Sequence, residues 1–178
     1  MKTKMLVAVL FFGAALVLAP ASASAKDAKL TVNFSSGDGK DVGTAVLAPA
    51  KNGVQLKLSL KNLAPGDHGI HFHAVAKCEG PDFKSSGGHF NPDNKKHGTK
   101  NPAGPHAGDI PLNLTVGPDG TLKQTITVTT VTLDPTGPTS LVANGASIMI
   151  HAGADDFMTD PSGNSGARIA CAVIPAAK

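Results

Sequence analysis

The chain has 178 residues, 41% of them hydrophobic and 16% charged, which suits one globular domain and excludes a disordered chain. Its 20 Gly, 13 Pro and single glutamate (Glu79) argue against long helices, and the lack of Trp and Tyr removes any stacking platform for single-stranded nucleic acid. The formal net charge of +3 marks neither a nucleic-acid nor a membrane-surface protein.

Residues 1–25 read as a secretory signal. Lys2 and Lys4 form its basic start, Met5 to Leu18 its apolar stretch, and Ala23-Ser24-Ala25 a small-residue cleavage site. The apolar stretch is too short to span a bilayer comfortably. Cleavage is expected near Ala25/Lys26, leaving a domain of residues 26–178 without stable membrane insertion, in a periplasmic or extracellular compartment. Loss of Lys2 and Lys4 lowers the net charge to +1.

In the mature chain the dominant period is two. Val54, Leu56, Leu58 and Leu60 alternate with Gln55, Lys57, Ser59 and Lys61, so one face of a strand is buried. Leu122, Gln124, Ile126 and Val128 oppose Lys123, Thr125, Thr127 and Thr129, and Leu112, Leu114 and Val116 repeat the pattern. Shorter candidates are Leu30–Phe34, Gly43–Ala48, Gly69–Val75, Ser147–His151 and Ile169–Ile174. Turn signals separate them: Gly37-Asp38-Gly39, Asn52-Gly53, Pro65-Gly66-Asp67 and Gly117-Pro118-Asp119-Gly120. The expectation is all-β: about eight antiparallel strands in a sandwich or flattened barrel, with no helix. Residues 77–108 and 153–167 break the alternation, and loops that long on a compact scaffold are usually functional or disordered.

Cys78 and Cys171 are the only cysteines. In an exported chain an even pair reads as one disulfide, and closing so long a loop contributes roughly 4–5 kcal/mol in the chain-entropy model. Metal ligation is the other reading, without the support of a CxxC pair. Asn33-Phe34-Ser35 and Asn113-Leu114-Thr115 are glycosylation sequons that matter only in a eukaryotic host.

All seven histidines lie in the mature chain, six of them between residues 68 and 106. On a strand, His71 and His73 leave the same face while Ile70 and Phe72 enter the core. His89, His97, His106 and Asp109 line the first long loop and its exit, and His151 ends another strand. One histidine alone reads as a surface or hydrogen-bonded core residue; this cluster reads as a metal site, and its ligand types suit copper and zinc.

At these residues the chain resembles the copper/zinc superoxide dismutases, in particular the secreted bacterial type. Residues 66–73 match the family's GxHGxHxH pattern, Gly88-His89-Phe90-Asn91-Pro92 its second motif, and residues 163–172 (GNSGARIACA) its C-terminal one. The resemblance implies an eight-stranded Greek-key β-barrel with two long functional loops, and disproportionation of superoxide by a redox-cycling copper. It implies copper ligands His71, His73, His89 and His151, and zinc ligands His89, His97, His106 and Asp109, with His89 bridging one Cu and one Zn per chain. His68 matches a non-ligand histidine that makes structural hydrogen bonds. Asp155 matches a carboxylate joining His71 to His97, with Asp156 as its nearby competitor. Arg168, the sole arginine, falls where the family places its substrate-guiding arginine, and a Cys78–Cys171 disulfide would help hold it. Short His73-to-Cys78 spacing fits bacterial members. The segment Phe157–Pro161 has no lysine where eukaryotic relatives carry steering charge; Lys84 is a possible substitute. A homodimer is possible, with no transferable interface.

The competing reading is a non-catalytic exported copper/zinc carrier or sensor. A complete copper ligand set and Arg168 argue against it. Blue-copper electron transfer would need a Cys ligand. A zinc hydrolase would need an open zinc position and a carboxylate base. Gly163-Asn164-Ser165-Gly166 is only a faint match to a serine-protease loop.

Overall fold

The structure is a computed structural model that describes residues 29–177. The signal segment and its cleavage point lie outside the described residues. Nine strands are present among them: β1 (Leu30–Ser36), β2 (Asp41–Ala50), β3 (Gly53–Leu60), β4 (Gly66–His68), β5 (Ile70–His73), β6 (Leu114–Val116), β7 (Leu122–Val128), β8 (Ala146–His151) and β9 (Arg168–Ile174).

The strict alternation of β3 puts Val54, Leu56, Leu58 and Leu60 in the core and leaves Gln55, Lys57 and Ser59 in solvent. Each such burial contributes roughly 1.5–3 kcal/mol. β3 pairs with β2 in unbroken register from Gly43↔Leu60 to Ala50↔Gly53, and with β7 from Val54↔Val128 to Leu60↔Leu122. Seven strands in the order β5-β8-β9-β1-β2-β3-β7 curl into an antiparallel half-barrel. The remaining pair, β4 and β6, touches β7 through β6 and runs into β5 through Gly69, so it links the two edges. Phe34, Leu47, Ile70, Phe72, Ile110, Leu114 and Ile148 fill the inside.

The all-β expectation holds, with two corrections. The strand expected over Gly69–Val75 is shorter, Ile70–His73, and the turn expected at Pro65-Gly66-Asp67 gives way at Gly66 to a separate short strand, β4: β4 pairs with β6, β5 pairs with β8, and the chain changes partner at Gly69. There the amide of Gly69 donates to Gly153 O at 2.8 Å and its carbonyl accepts from His151 N at 2.9 Å, so ladder bonds give way to a corner. Leu112 stays outside β6, and its amide turns back to Ile110 O. The only helical turn among the described residues is a three-residue 3-10 turn, Lys84–Ser86.

β5 and β8 are buried on both faces. One face, with Ile70, Phe72, Ile148 and Ile150, joins the main core. The other carries His71, His73, Met149 and His151 and lies under the two long loops. These three histidines therefore sit on the outer side of the half-barrel wall.

Candidate metal centre

Four buried imidazole nitrogens, three on that wall and one on the loop above it, have no hydrogen-bond partner: His71 Nδ1, His73 Nε2, His151 Nε2 and His89 Nε2. A buried polar atom without a partner costs about 1–3 kcal/mol. Four of them, with ligand atoms all within 4.8 Å of one another, form a donor set for a cation. Each ring is fixed through its other nitrogen. His71 Nε2 faces Asp155 Oδ2 at 2.8 Å, His73 Nδ1 faces Gly87 O at 2.9 Å, His89 Nδ1 faces Asp109 Oδ1 at 2.9 Å, and His151 Nδ1 faces Gly166 O at 3.2 Å. Burial holds all four imidazoles below their ordinary pKa, His89 and His151 at about 4 and His73 at about 2, so they are neutral at pH 7 and able to ligate.

A second set adjoins the first and shares His89. The Nδ1 atoms of His89, His97 and His106 lie 2.9, 3.0 and 3.2 Å from Asp109 Oδ1, and His106 Nδ1 lies 3.3 Å from His89 Nδ1. Donors about 2.0–2.1 Å from a tetrahedral zinc are separated by about 3.3 Å, so these spacings fit a single four-coordinate ion. The other carboxylate oxygen, Asp109 Oδ2, accepts from the amides of Gly98 (2.8 Å) and His106 (3.0 Å), which aims Oδ1 at the imidazoles. Burial opposes charge on Asp109, but the surrounding imidazole and amide donors win and hold its carboxyl well below the usual range. His89 thus offers Nδ1 to one set and Nε2 to the other.

Asp155 joins the two sets. Its Oδ2 meets His71 Nε2 at 2.8 Å and its Oδ1 meets His97 Nε2 at 3.0 Å. Against burial, Asp109 and Asp155 raise His97 to about 9. Asp156 does not compete for that position. It is half-buried and shapes the loop, accepting from the amides of Met158 and Thr159 and from Asn164 Nδ2. Gly163 packs directly on the Asp155–His97 contact. With φ +65 and no room for a Cβ against the Asp155 carboxylate, only glycine fits there.

Beside the first set opens a cavity of about 340 Å³ lined by His73, His89, His106, His151, Ser162 and Arg168, among others. Arg168 Nη1 donates to Phe83 O (2.8 Å) and Ser86 Oγ (3.0 Å), and Nη2 donates to Gly87 O (2.7 Å). All three acceptors belong to the loop that the Cys78–Cys171 disulfide ties to β9. Both cysteines are thereby accounted for, and neither is a metal ligand. Phe83, Met149 and Cys171 form a small separate core under that loop.

His68 is not in either donor set. Its Nδ1 meets His151 O at 2.7 Å and its Nε2 meets Ala64 O at 2.9 Å, so it ties a turn to the end of β8. Lys84 is exposed, paired with Asp82 at 2.8 Å, and does not line the cavity. Three contributors carried no motif of their own. Asn113 brackets Asp155, accepting from its amide at 2.8 Å and donating to its carbonyl at 3.0 Å. Asp160 accepts from the amide of His97 at 2.8 Å. Ser86 is buried against Arg168. Asn113 keeps the polar place in the alternation Leu112-Asn113-Leu114, so in the sequence it reads as an ordinary outward-facing strand residue.

A β-scaffold with two adjoining imidazole-rich donor sets that share one histidine defines a binuclear metalloprotein. The family model for copper/zinc superoxide dismutase (SODC) matches residues 42–174. A Cu-Zn superoxide dismutase of Caulobacter vibrioides is 44% identical over 147 residues, covering 81% of this chain and 84% of the relative. One from Aquifex aeolicus is 41% identical over 152 residues, covering 84% and 89%. The solved structure of Cu/Zn superoxide dismutase from Brucella abortus superposes with a TM-score of 0.68 at 31% identity, covering 83% of this chain and 99% of that one. The chain belongs to the copper/zinc superoxide dismutase family. It is an oxidoreductase of the class that acts on superoxide, and its cofactors are copper and zinc.

Proposed function

We propose that His71, His73, His89 and His151 hold copper and that His89, His97, His106 and Asp109 hold zinc. On this reading the chain converts two superoxide anions and two protons into O₂ and H₂O₂. The observation that carries it is the set of four partnerless imidazole nitrogens beside a cavity lined by the one arginine. Copper bound there supplies the one-electron redox chemistry of both half-reactions, which zinc does not have.

The chain's own residues do the rest. Arg168 draws the anion into the cavity and orients it through the two guanidinium N–H groups that have no acceptor among the described residues. His89 takes up a proton at Nε2 in one half of the cycle and returns it in the other, while Nδ1 stays with the zinc set. Asp109 fixes the orientation of the His89 ring, so His89 returns to the same place, and Asp155 fixes the neighbouring His71 and His97. The small cavity, with histidines and an arginine in its wall, favours a compact anion. The disulfide and the chain's relatives support export, with cleavage near Ala25/Lys26.

Metal titration tests the reading. With zinc in place, superoxide removal should rise in proportion to added copper and saturate at one copper per chain. Stoichiometric copper uptake with no gain in superoxide removal would instead establish a carrier or sensor.

A further inference from the structure

The seat of Arg168 contains one side chain. Ser86 is fully buried at the end of the Lys84–Ser86 turn, between Phe83 in the left-handed region (φ 54) and Gly87 (φ 73). Its hydroxyl donates to Phe83 O at 2.8 Å and accepts from Arg168 Nη1 at 3.0 Å. That same Nη1 donates its other hydrogen to Phe83 O at 2.8 Å. Arg168, Ser86 Oγ and Phe83 O therefore close a triangle in which every hydrogen has one acceptor.

The next residue links this triangle to the metal centre. Gly87 O accepts from both Arg168 Nη2 (2.7 Å) and His73 Nδ1 (2.9 Å), and Ser86 Oγ itself lies 3.4 Å from His73 Nδ1. A guanidinium held only by two carbonyls can swing about the line joining them. The hydroxyl supplies a third point and stops that rotation. Its orientation is in turn fixed by donation to Phe83 O.

We infer that Ser86 is a positioning residue for anion recognition, holding the Arg168 guanidinium at a set angle to the His73 ring. The inference rests on Arg168 guiding the anion. Removing the hydroxyl keeps the positive charge, and with it long-range attraction, but loosens the final orientation. Charge and orientation are therefore separable by experiment.

The test compares wild type, Ser86→Ala, Ser86→Thr and Arg168→Ala as copper- and zinc-loaded proteins. Metal content, azide affinity read from the visible copper absorption, and the salt dependence of superoxide removal are measured for each. Ser86→Ala should keep both metals and the wild-type salt slope, while azide binding and superoxide removal weaken roughly three- to tenfold, the net scale of one ordinary hydrogen bond, since the two carbonyl contacts to Arg168 remain. Ser86→Thr should restore azide affinity. Arg168→Ala should weaken azide further and flatten the salt dependence. Wild-type azide affinity in Ser86→Ala, beside a weakened Arg168→Ala, would overturn the inference about Ser86 alone. Lost copper in Ser86→Ala would also overturn it, because the hydroxyl would then act on His73. An Arg168→Ala variant with unchanged azide affinity and salt slope would instead defeat the reading of Arg168.

Discussion

His71, His73 and His151 each have one nitrogen committed to a protein oxygen and one without a partner, and the commitments are what select the tautomer. Asp155 does this for two rings at once, His71 and His97. Loss of such an outer partner commonly weakens metal binding by about 10–100-fold. Asp155→Ala should therefore retain the fold but hold zinc about 10–100-fold more weakly in chelator competition; unchanged zinc affinity would mean Asp155 is only a loop anchor. The proposed role of Arg168 is instead on the substrate. Arg168→Ala should lower the superoxide rate constant by about tenfold or more with both metals still bound, since it removes the charge at the mouth of the cavity. Metal analysis alongside the rate separates this from structural collapse. The clustering that forms the two donor sets was legible in the sequence, because His71, His73 and His89 sit in short motifs and His97, His106 and Asp109 follow on the same long loop. Asn113, Asp160 and Ser86 were not, because they bond to residues 42, 63 and 82 positions away.

The elements explain how sequence-distant ligands meet. β5 and β8 pair from Ile70↔Ile150 to His73↔Ser147, which brings His71 and His73 beside the end of β8 at His151. The first long loop then delivers His89, His97, His106 and Asp109, and the second delivers Asp155. Alternation revealed β3 and β7 almost to the residue. It missed β4, because Gly66 and Asp67 carry turn chemistry and the three-residue strand Gly66–His68 is too short to show a period of its own. The second loop closes on the centre through Gly163, whose φ of +65 and contact with Asp155 and His97 exclude a side chain. Gly163→Ala should push Asp155 off His97. The expected result is a lower Tm and faster zinc loss to a chelator, and a wild-type rate of zinc loss would contradict the role given to this glycine. The disulfide works at the same scale by holding the loop whose carbonyls seat Arg168.

At the scale of the whole molecule, a small β-scaffold buries several ionisable side chains that a metal would otherwise compensate. His89 and His151 are held at about 4 by burial, against an ordinary value of 6.5. Between those values the unfolded chain takes up protons that the folded chain refuses, so the metal-free protein should lose stability as pH falls from about 6.5 toward 4. His97, raised to about 9 by Asp109 and Asp155, contributes in the opposite sense: its share is present below 6.5 and is lost as pH rises toward 9. Calorimetry of the metal-free protein should show Tm falling on both sides of neutrality. Bound metal should flatten the acid side, because protons must then displace the ions. A Tm of the metal-free protein that does not change from pH 4 to 7 would show that these imidazoles are solvated. The all-β class, the two loops and the ligand clustering are all visible in the sequence. The partner change at Gly69 and the seat of Arg168 are not, because both depend on contacts between segments far apart in the chain.

The most direct test of the central claim is the rate of superoxide decay, by pulse radiolysis, with the mature protein carrying one copper and one zinc per chain. The expected result is a rate constant near the diffusion limit, on the order of 10⁸–10⁹ M⁻¹s⁻¹, that falls with added salt and is abolished by cyanide. Decay no faster than with free copper, while both metals remain bound, would contradict it.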